Sequence, residues 1–284
     1  MVMRATRQIA VGLVSAACLC ACTTTSDQFA VSADDPLDML VFDCGYSDGS
    51  FAWLSGEGRF DGESGRLANP CFLIRHPDGT LLWDAGLPGD LADTGPEESD
   101  IATLGVDRRL SDQLAELGIA ASDIDYLALS HLHIDHAGQP EAATGAVWLA
   151  QVEDARAVAS GDAGEHAADI TALQDFETQS FAGERDVFGD GRVRIIHAPG
   201  HTPGHSVLFV DLPVSGPVIL SGDLWHRAAS REGRTVPAYN SSPERTRISM
   251  DRVEALAEAT GARIIIQHEV SDYETLPKAP TPMR

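Results

Sequence analysis

The sequence predicts an α/β fold, on three observations. Short apolar runs of strand type recur at residues 72–75, 80–83, 124–129, 193–196, 218–220 and 264–266, with turn residues close by. Other segments place apolar residues on one helical face, first Leu110, Leu114 and Leu117 and later Val253, Leu256 and Ala257. The last four runs each lead directly into His or Asp motifs, so the strands of this fold are expected to carry a site at their ends.

Taken in order, the chain opens with Arg4 and Arg7, an apolar stretch over 9–20, and Leu19-Cys20-Ala21-Cys22. This is an export signal, and the stretch is too short for a comfortable membrane span. It resembles a bacterial lipoprotein signal, with residues 1–21 as the signal peptide and Cys22 as the acylated first residue of the mature chain. Thr23 is not the aspartate that retains such proteins at the inner membrane, so the expected address is the outer membrane or the periplasm. Residues 22–36 are rich in Thr, Ser and Asp without apolar period and read as a flexible tether. The folded domain is expected over 37–284, beginning with a strand at 37–42. Runs 72–75 and 80–83 then form a hairpin around Pro77-Asp78-Gly79. A helix carries Leu110, Leu114 and Leu117, and 124–129 is a buried strand. Residues 153–188 are polar and alanine-rich and are expected to form helices walling a pocket. Ser242-Pro243-Glu244 starts a helix that Gly261 ends. The internal pair Cys44 and Cys71 invites a disulfide in an oxidising compartment, with buried free thiols as the favoured alternative.

The run Ser130-His131-Leu132-His133-Ile134-Asp135-His136-Ala137-Gly138 holds three imidazoles and a carboxylate in six consecutive positions. That density is metal-ligand chemistry: His131 and His133 can face one ion while Asp135 and His136 face a second. Neither ion is held by two ligands alone. Gly200-His201-Thr202-Pro203-Gly204-His205 offers a third imidazole, Ser221-Gly222-Asp223 a carboxylate able to bridge, and Gln267-His268-Glu269 a further imidazole.

With these motifs the chain resembles the metallo-β-lactamase-fold hydrolases, and within them the N-acyl-homoserine-lactone lactonases. The resemblance runs over 37–280 and includes Ile74-Arg75-His76-Pro77-Asp78-Gly79, Leu82-Trp83-Asp84-Ala85-Gly86, the two histidine runs, Gln267-His268 and Leu276-Pro277-Lys278. It implies a four-layered αβ/βα sandwich and two divalent metal ions, zinc foremost, although a mixed N/O site accepts iron, manganese or cobalt. It assigns His131, His133 and His201 to the first ion, Asp135, His136 and His268 to the second, and Asp223 to the bridge. His205 and Asp84 are expected just outside, orienting ligands or loops. Such lactonases carry a tyrosine three residues after the bridging aspartate. Here His226 stands there, either as a substitute donor to the lactone carbonyl or as a rim histidine.

The ligand set implies a water activated between two ions, with Asp135 or Asp223 passing its proton to the leaving group and no serine or cysteine nucleophile. Asp223 counts against β-lactamase activity. His133, where the flavin-linked di-iron reductases carry a carboxylate, counts against those enzymes, and the full set of seven ligands counts against the single-iron persulfide-oxidising relatives. Composition removes one more branch: 43 acidic residues against 20 basic give a net charge of -23, which repels nucleic acid. What remains is hydrolysis of a small-molecule lactone or another ester, thioester or phosphodiester, with a zinc-binding surface lipoprotein as the non-enzyme alternative.

Overall fold

Side chains alternate across the first strand, β1 (Asp38–Ser50), and its two faces meet different cores. Met39 and Val41 join Phe72, Ile74 and Trp83, and this set packs on Ile195, Leu208, Val210, Val218 and Leu220 of a second sheet. Leu40 and Phe42 face the opposite way, into a core shared with Leu110, Leu114 and Val158. A strand covered on both sides reads as a continuous apolar run, which is why the sequence shows runs rather than polar alternation.

The computed structural model describes residues 37–99, 101–164 and 166–284; the signal, Cys22 and the tether expected over 1–36 lie outside the described residues. The further strands are β2 (Ser64–His76), β3 (Gly79–Trp83), β4 (Glu97–Glu98), β5 (Ala102–Gly105), β6 (Tyr126–Ala128), β7 (Val147–Gln151), β8 (Glu177–Phe181), β9 (Glu184–Asp186), β10 (Val193–His197), β11 (Ser206–Leu212), β12 (Gly216–Leu220) and β13 (Arg263–Ile265). The helices are α1 (Leu91–Thr94), α2 (Leu110–Glu116), α3 (Val152–Ser160), α4 (Ala228–Gly233), α5 (Pro243–Thr260) and α6 (Val270–Thr275).

One sheet has the order β4-β5-β1-β2-β3-β6-β7-β8 and the other β13-β12-β11-β10-β9. Helices α2 and α3 contribute to the core on the outer face of the first sheet. On the second, Met250, Val253 and Ala257 of α5 pack against Val207, Phe209 and Ile219. Helix, sheet, sheet, helix is the four-layered sandwich that the resemblance implies. Helix α5 begins where its sequence says: the Ser242 hydroxyl accepts the Arg245 N–H, Pro243 is the first helical residue, and Gly261 closes the last turn with φ 70°.

Two expectations change. The helices expected over 153–188 reduce to α3 and one short 3-10 helix at Ala172–Asp175, and the segment continues as β8 and β9. Strand β8 pairs parallel to β7 from Val147↔Glu177 to Gln151↔Phe181 at the edge of the sheet. Its first four residues are exposed, so burial leaves no periodic mark in the sequence. The favoured free thiols are in fact joined, as a Cys44–Cys71 disulfide with Cα atoms 5.8 Å apart. Antiparallel pairing of β1 with β2, and a register shift between Asp43 and Tyr46, bring together two cysteines that are 27 residues apart.

Candidate metal centre

Each motif leaves a strand end and enters the space at one edge of the sandwich: the 130–138 loop follows β6, His201 follows β10, Asp223 follows β12 and His268 follows β13. The loops are held by backbone contacts that only particular residues permit. Gly200, at φ 138°, lies so close to α5 that a Cβ on it would stand 2.2 Å from the Thr246 nitrogen. Asp84, at φ 61° just after β3, tolerates the left-handed region as few other residues do. From there its Oδ1 accepts the Ser130 N–H at 2.6 Å, while its Oδ2 accepts Gln267 Nε2 at 2.8 Å and lies 3.0 Å from His136 Nδ1.

All seven expected ligands meet. His201 Nε2 is 3.1 Å from His131 Nε2 and 3.0 Å from His133 Nδ1. His136 Nε2 and His268 Nε2 are 3.1 Å apart, and Asp135 Oδ2 lies 3.7 and 3.6 Å from them. Asp223 stands between the two groups: Oδ1 is 2.8 Å from His268 and 2.9 Å from His136, and Oδ2 is 3.2 Å from His201 and 3.7 Å from His131.

The donor set fits two cations. Hydrogen bonding alone cannot satisfy the three nitrogens of His131, His133 and His201 that converge on one point, because neutral imidazoles offer one proton each and the outward nitrogens of His131 and His201 have claims on theirs. His131 Nδ1 lies 3.0 Å from Ser130 Oγ, His201 Nδ1 3.0 Å from Asn240 Oδ1, and His268 Nδ1 2.8 Å from the Ala68 carbonyl. Protons on these outer atoms turn lone pairs inward, as metal-ligating imidazoles require. Burial, reinforced by neighbouring imidazoles, holds His131 and His133 well below the usual histidine range. For Asp223, burial pushes upward but the surrounding imidazoles, His136 and His268 first, win and hold it well below the usual carboxylate range. At His136 burial pushes down and Asp223, Asp135 and Asp84 together overcome it, so its affinity for positive charge is raised.

His205 and Asp84 occupy the outer positions expected of them. Burial pushes His205 down to about 3, which keeps it neutral; its Nε2 accepts the Asp223 N–H at 2.9 Å and its Nδ1 donates to the Ala198 carbonyl. His226 is 2% exposed and does not stand at the rim: its Nε2 lies 3.1 Å from Asp223 Oδ2. Four further side chains escaped the sequence reading. Asn240 holds His201 and is itself held by Thr246. Tyr239, Trp53 and His166 flank the site, with ring centres 5.3 and 5.6 Å from Tyr239 to His166 and Trp53. Burial, with the charges of Asp223 and Asp135, holds the Tyr239 phenol well above its usual range. The available signal was weak: 237–242 is a polar loop just before a helix cap, with no spacing that points to a metal.

A sandwich of two mixed sheets with seven His and Asp side chains converging at strand ends defines a class. The chain belongs to the Metallo-beta-lactamase superfamily, whose family model matches residues 64–268. Within that family it is similar to the N-acyl homoserine lactonase AttM of Rhizobium johnstonii, 30% identical over 227 residues covering 74% of this chain and 85% of the relative. It is also similar to the N-acyl homoserine lactonase AiiA of Bacillus thuringiensis subsp. kurstaki, 26% identical over 212 residues, covering 72% and 82%. Among solved structures, an N-acyl homoserine lactone hydrolase with the product N-hexanoyl-L-homoserine at its catalytic metal centre superposes with TM-score 0.76 at 22% identity, over 88% of this chain and all of the other.

Proposed function

We propose that the protein hydrolyses the lactone ring of N-acyl-homoserine lactones at a pair of divalent metal ions, zinc foremost. The observation that carries this reading is Asp223, whose two oxygens face two separate nitrogen groups. Relatives named N-acyl homoserine lactonase support the substrate class. When bound, the ion pair supplies an activated water and Lewis-acid polarisation of the carbonyl. His131, His133, His201 and Asp223 Oδ2 would hold one ion, and Asp135, His136, His268 and Asp223 Oδ1 the other. Asp135 is half-buried and reaches the open side of the site, where its carboxylate can take the water's proton and give it to the alkoxide released when the ring C–O bond breaks. Cys44 and Cys71 are tied to each other, so neither serves as a thiolate nucleophile. The acidic chain needs no basic docking patch for a neutral lactone. The sequence over 1–22 supports export and lipid attachment at Cys22, with the domain on the outer membrane or in the periplasm.

Elemental analysis of the dialysed, metal-replete protein should return two ions per chain. The same preparation is then assayed side by side on short- and long-chain homoserine lactones, aryl esters, thioesters and phosphodiesters. Release of acyl-homoserine is the expected result. Efficient cleavage of a thioester or phosphodiester with no lactone opening would sink the substrate assignment, and a persistent stoichiometry near one would sink the two-ion site.

A further inference from the structure

The floor of the centre and its mouth are built from different side chains. His131, His136, His201, His226, His268 and Asp223 are buried, whereas His133, Asp135, Trp53 and Tyr239 are half-buried and Ile134 and His166 are exposed. A substrate arriving from solvent meets the second group first. Any donor to its carbonyl must therefore reach outward from the floor or stand at the mouth.

His226 does not reach outward. Its ring is covered by His268, stacked at 5.4 Å and 17°, and by Trp53, edge-on at 5.4 Å and 90°. Its Nε2 faces Asp223 Oδ2 at 3.1 Å and Tyr239 Oη at 3.2 Å. Unlike His131, His201 and His268, whose outer nitrogens meet Ser130, Asn240 and the Ala68 carbonyl, His226 makes its polar contacts among the described residues through Nε2, which assigns the hydrogen to that nitrogen, shared between the two oxygens. The phenol oxygen then accepts from His226, and its own hydrogen is left for a partner further out. Tyr239 is also held in place: the Ser241 and Ser242 N–H groups donate to the carbonyls of His201 and Gly200, and Asn240 binds His201. Its ring lies 5.5 Å from His201 and 6.0 Å from His133, over the end of the centre those two ligands form.

We propose that the Tyr239 hydroxyl donates the hydrogen bond to the substrate carbonyl oxygen, and that His226 positions this hydroxyl without touching substrate. The inference rests on the hydrolase reading above. No proton leaves the phenol. As water, less one proton, adds to the carbonyl carbon, charge moves to the carbonyl oxygen and the hydrogen bond strengthens. It relaxes when the C=O bond re-forms and the ring C–O bond breaks.

Tyr239→Phe keeps the ring against Trp53 and the imidazoles and removes only the hydroxyl. It should lower kcat by about 10²- to 10³-fold, the range for loss of one preorganised donor, with a smaller change in KM and unaltered metal content. A phosphonate analogue of the tetrahedral intermediate should lose affinity by a similar factor, while the ring-opened product does not. His226→Ala should cost about as much as Tyr239→Phe, and the double variant no more than either, because one acts through the other. Wild-type kcat in Tyr239→Phe, or metal lost together with activity, overturns the assignment. Multiplicative losses in the double variant, or metal lost in His226→Ala, overturn the positioning role. Should the wild type cleave an aryl ester but no lactone, the substrate class falls and Tyr239→Phe is tested on that ester; cleavage of phosphodiesters alone overturns both.

Discussion

Asp154 should make the stability of this protein fall as pH rises through neutrality. The residue lies in the first turn of α3, 7% exposed, with its carboxylate against the His201 loop: a Cβ on Gly204 would stand 2.1 Å from Oδ1. Burial, with the charge of Glu153 adding to it, pushes its pKa from 3.8 to about 7. A folded-state value above the unfolded one means that the native state holds the proton more tightly. The associated stability is complete below about pH 4 and is lost as pH rises through about 7. Between about pH 5 and about pH 9 roughly two pH units of that window are crossed, so the loss is at most ~3 kcal/mol. The helix N-terminus favours the charged form by only ~0.3–1 kcal/mol, too little to offset burial. Asp154→Asn keeps the shape and removes the titration. Urea unfolding of the metal-replete protein at both pH values, wild type beside variant, isolates this group because the other titrations cancel. The variant should gain on the wild type by up to ~3 kcal/mol at the higher pH. Equal differences at both pH values would refute the assignment of a raised pKa to Asp154.

Two further outcomes test the site and the address. Asp223→Ala should lose bound metal and most turnover, whereas His205→Ala, which removes the acceptor for the Asp223 N–H, should keep its metal more nearly and lose about 10- to 100-fold; elemental analysis and initial rates measure both. Cys22→Ser should move the protein from membranes to a soluble fraction or stop its processing in cell fractionation, and unchanged membrane attachment would point to an uncleaved helix.

The convergence of the seven His and Asp side chains was legible in the sequence because metal chemistry restricts both residue type and spacing. His131, His133, Asp135 and His136 lie within six positions, and His201, Asp223 and His268 each follow an apolar strand. The four layers followed from the resemblance. Partners that act across the fold left no such trace. Asn240 is an ordinary loop residue until β10 and α5 bring it to His201 Nδ1. Tyr239 lies 13 positions from His226, a separation that carries no helical or strand period. The disulfide was hidden for the same reason, since it depends on a β1–β2 register that spacing does not encode. Strand β8 was missed because an exposed edge strand needs no apolar pattern.

The two sheets contribute to the centre unequally, and the contacts behind the ligands show how the seam between them is held. His131, His133, Asp135 and His136 come from the loop after β6 of the larger sheet, while His201, Asp223 and His268 come from the smaller one. Bridging that division is Gln267. Its Oε1 accepts from Trp83 Nε1 at 3.1 Å and from the Gly222 N–H at 2.8 Å, and its Nε2 donates to Asp84 at 2.8 Å. Asp84 in turn holds Ser130 and His136, and Ala68 of β2 holds His268 by its carbonyl. A buried amide with both ends satisfied adds rigidity, whereas a half-satisfied one costs about 1–3 kcal/mol. These contacts fix side chains from both sheets about one metal-binding space, with imidazole nitrogens from the two sheets 3.1 Å apart.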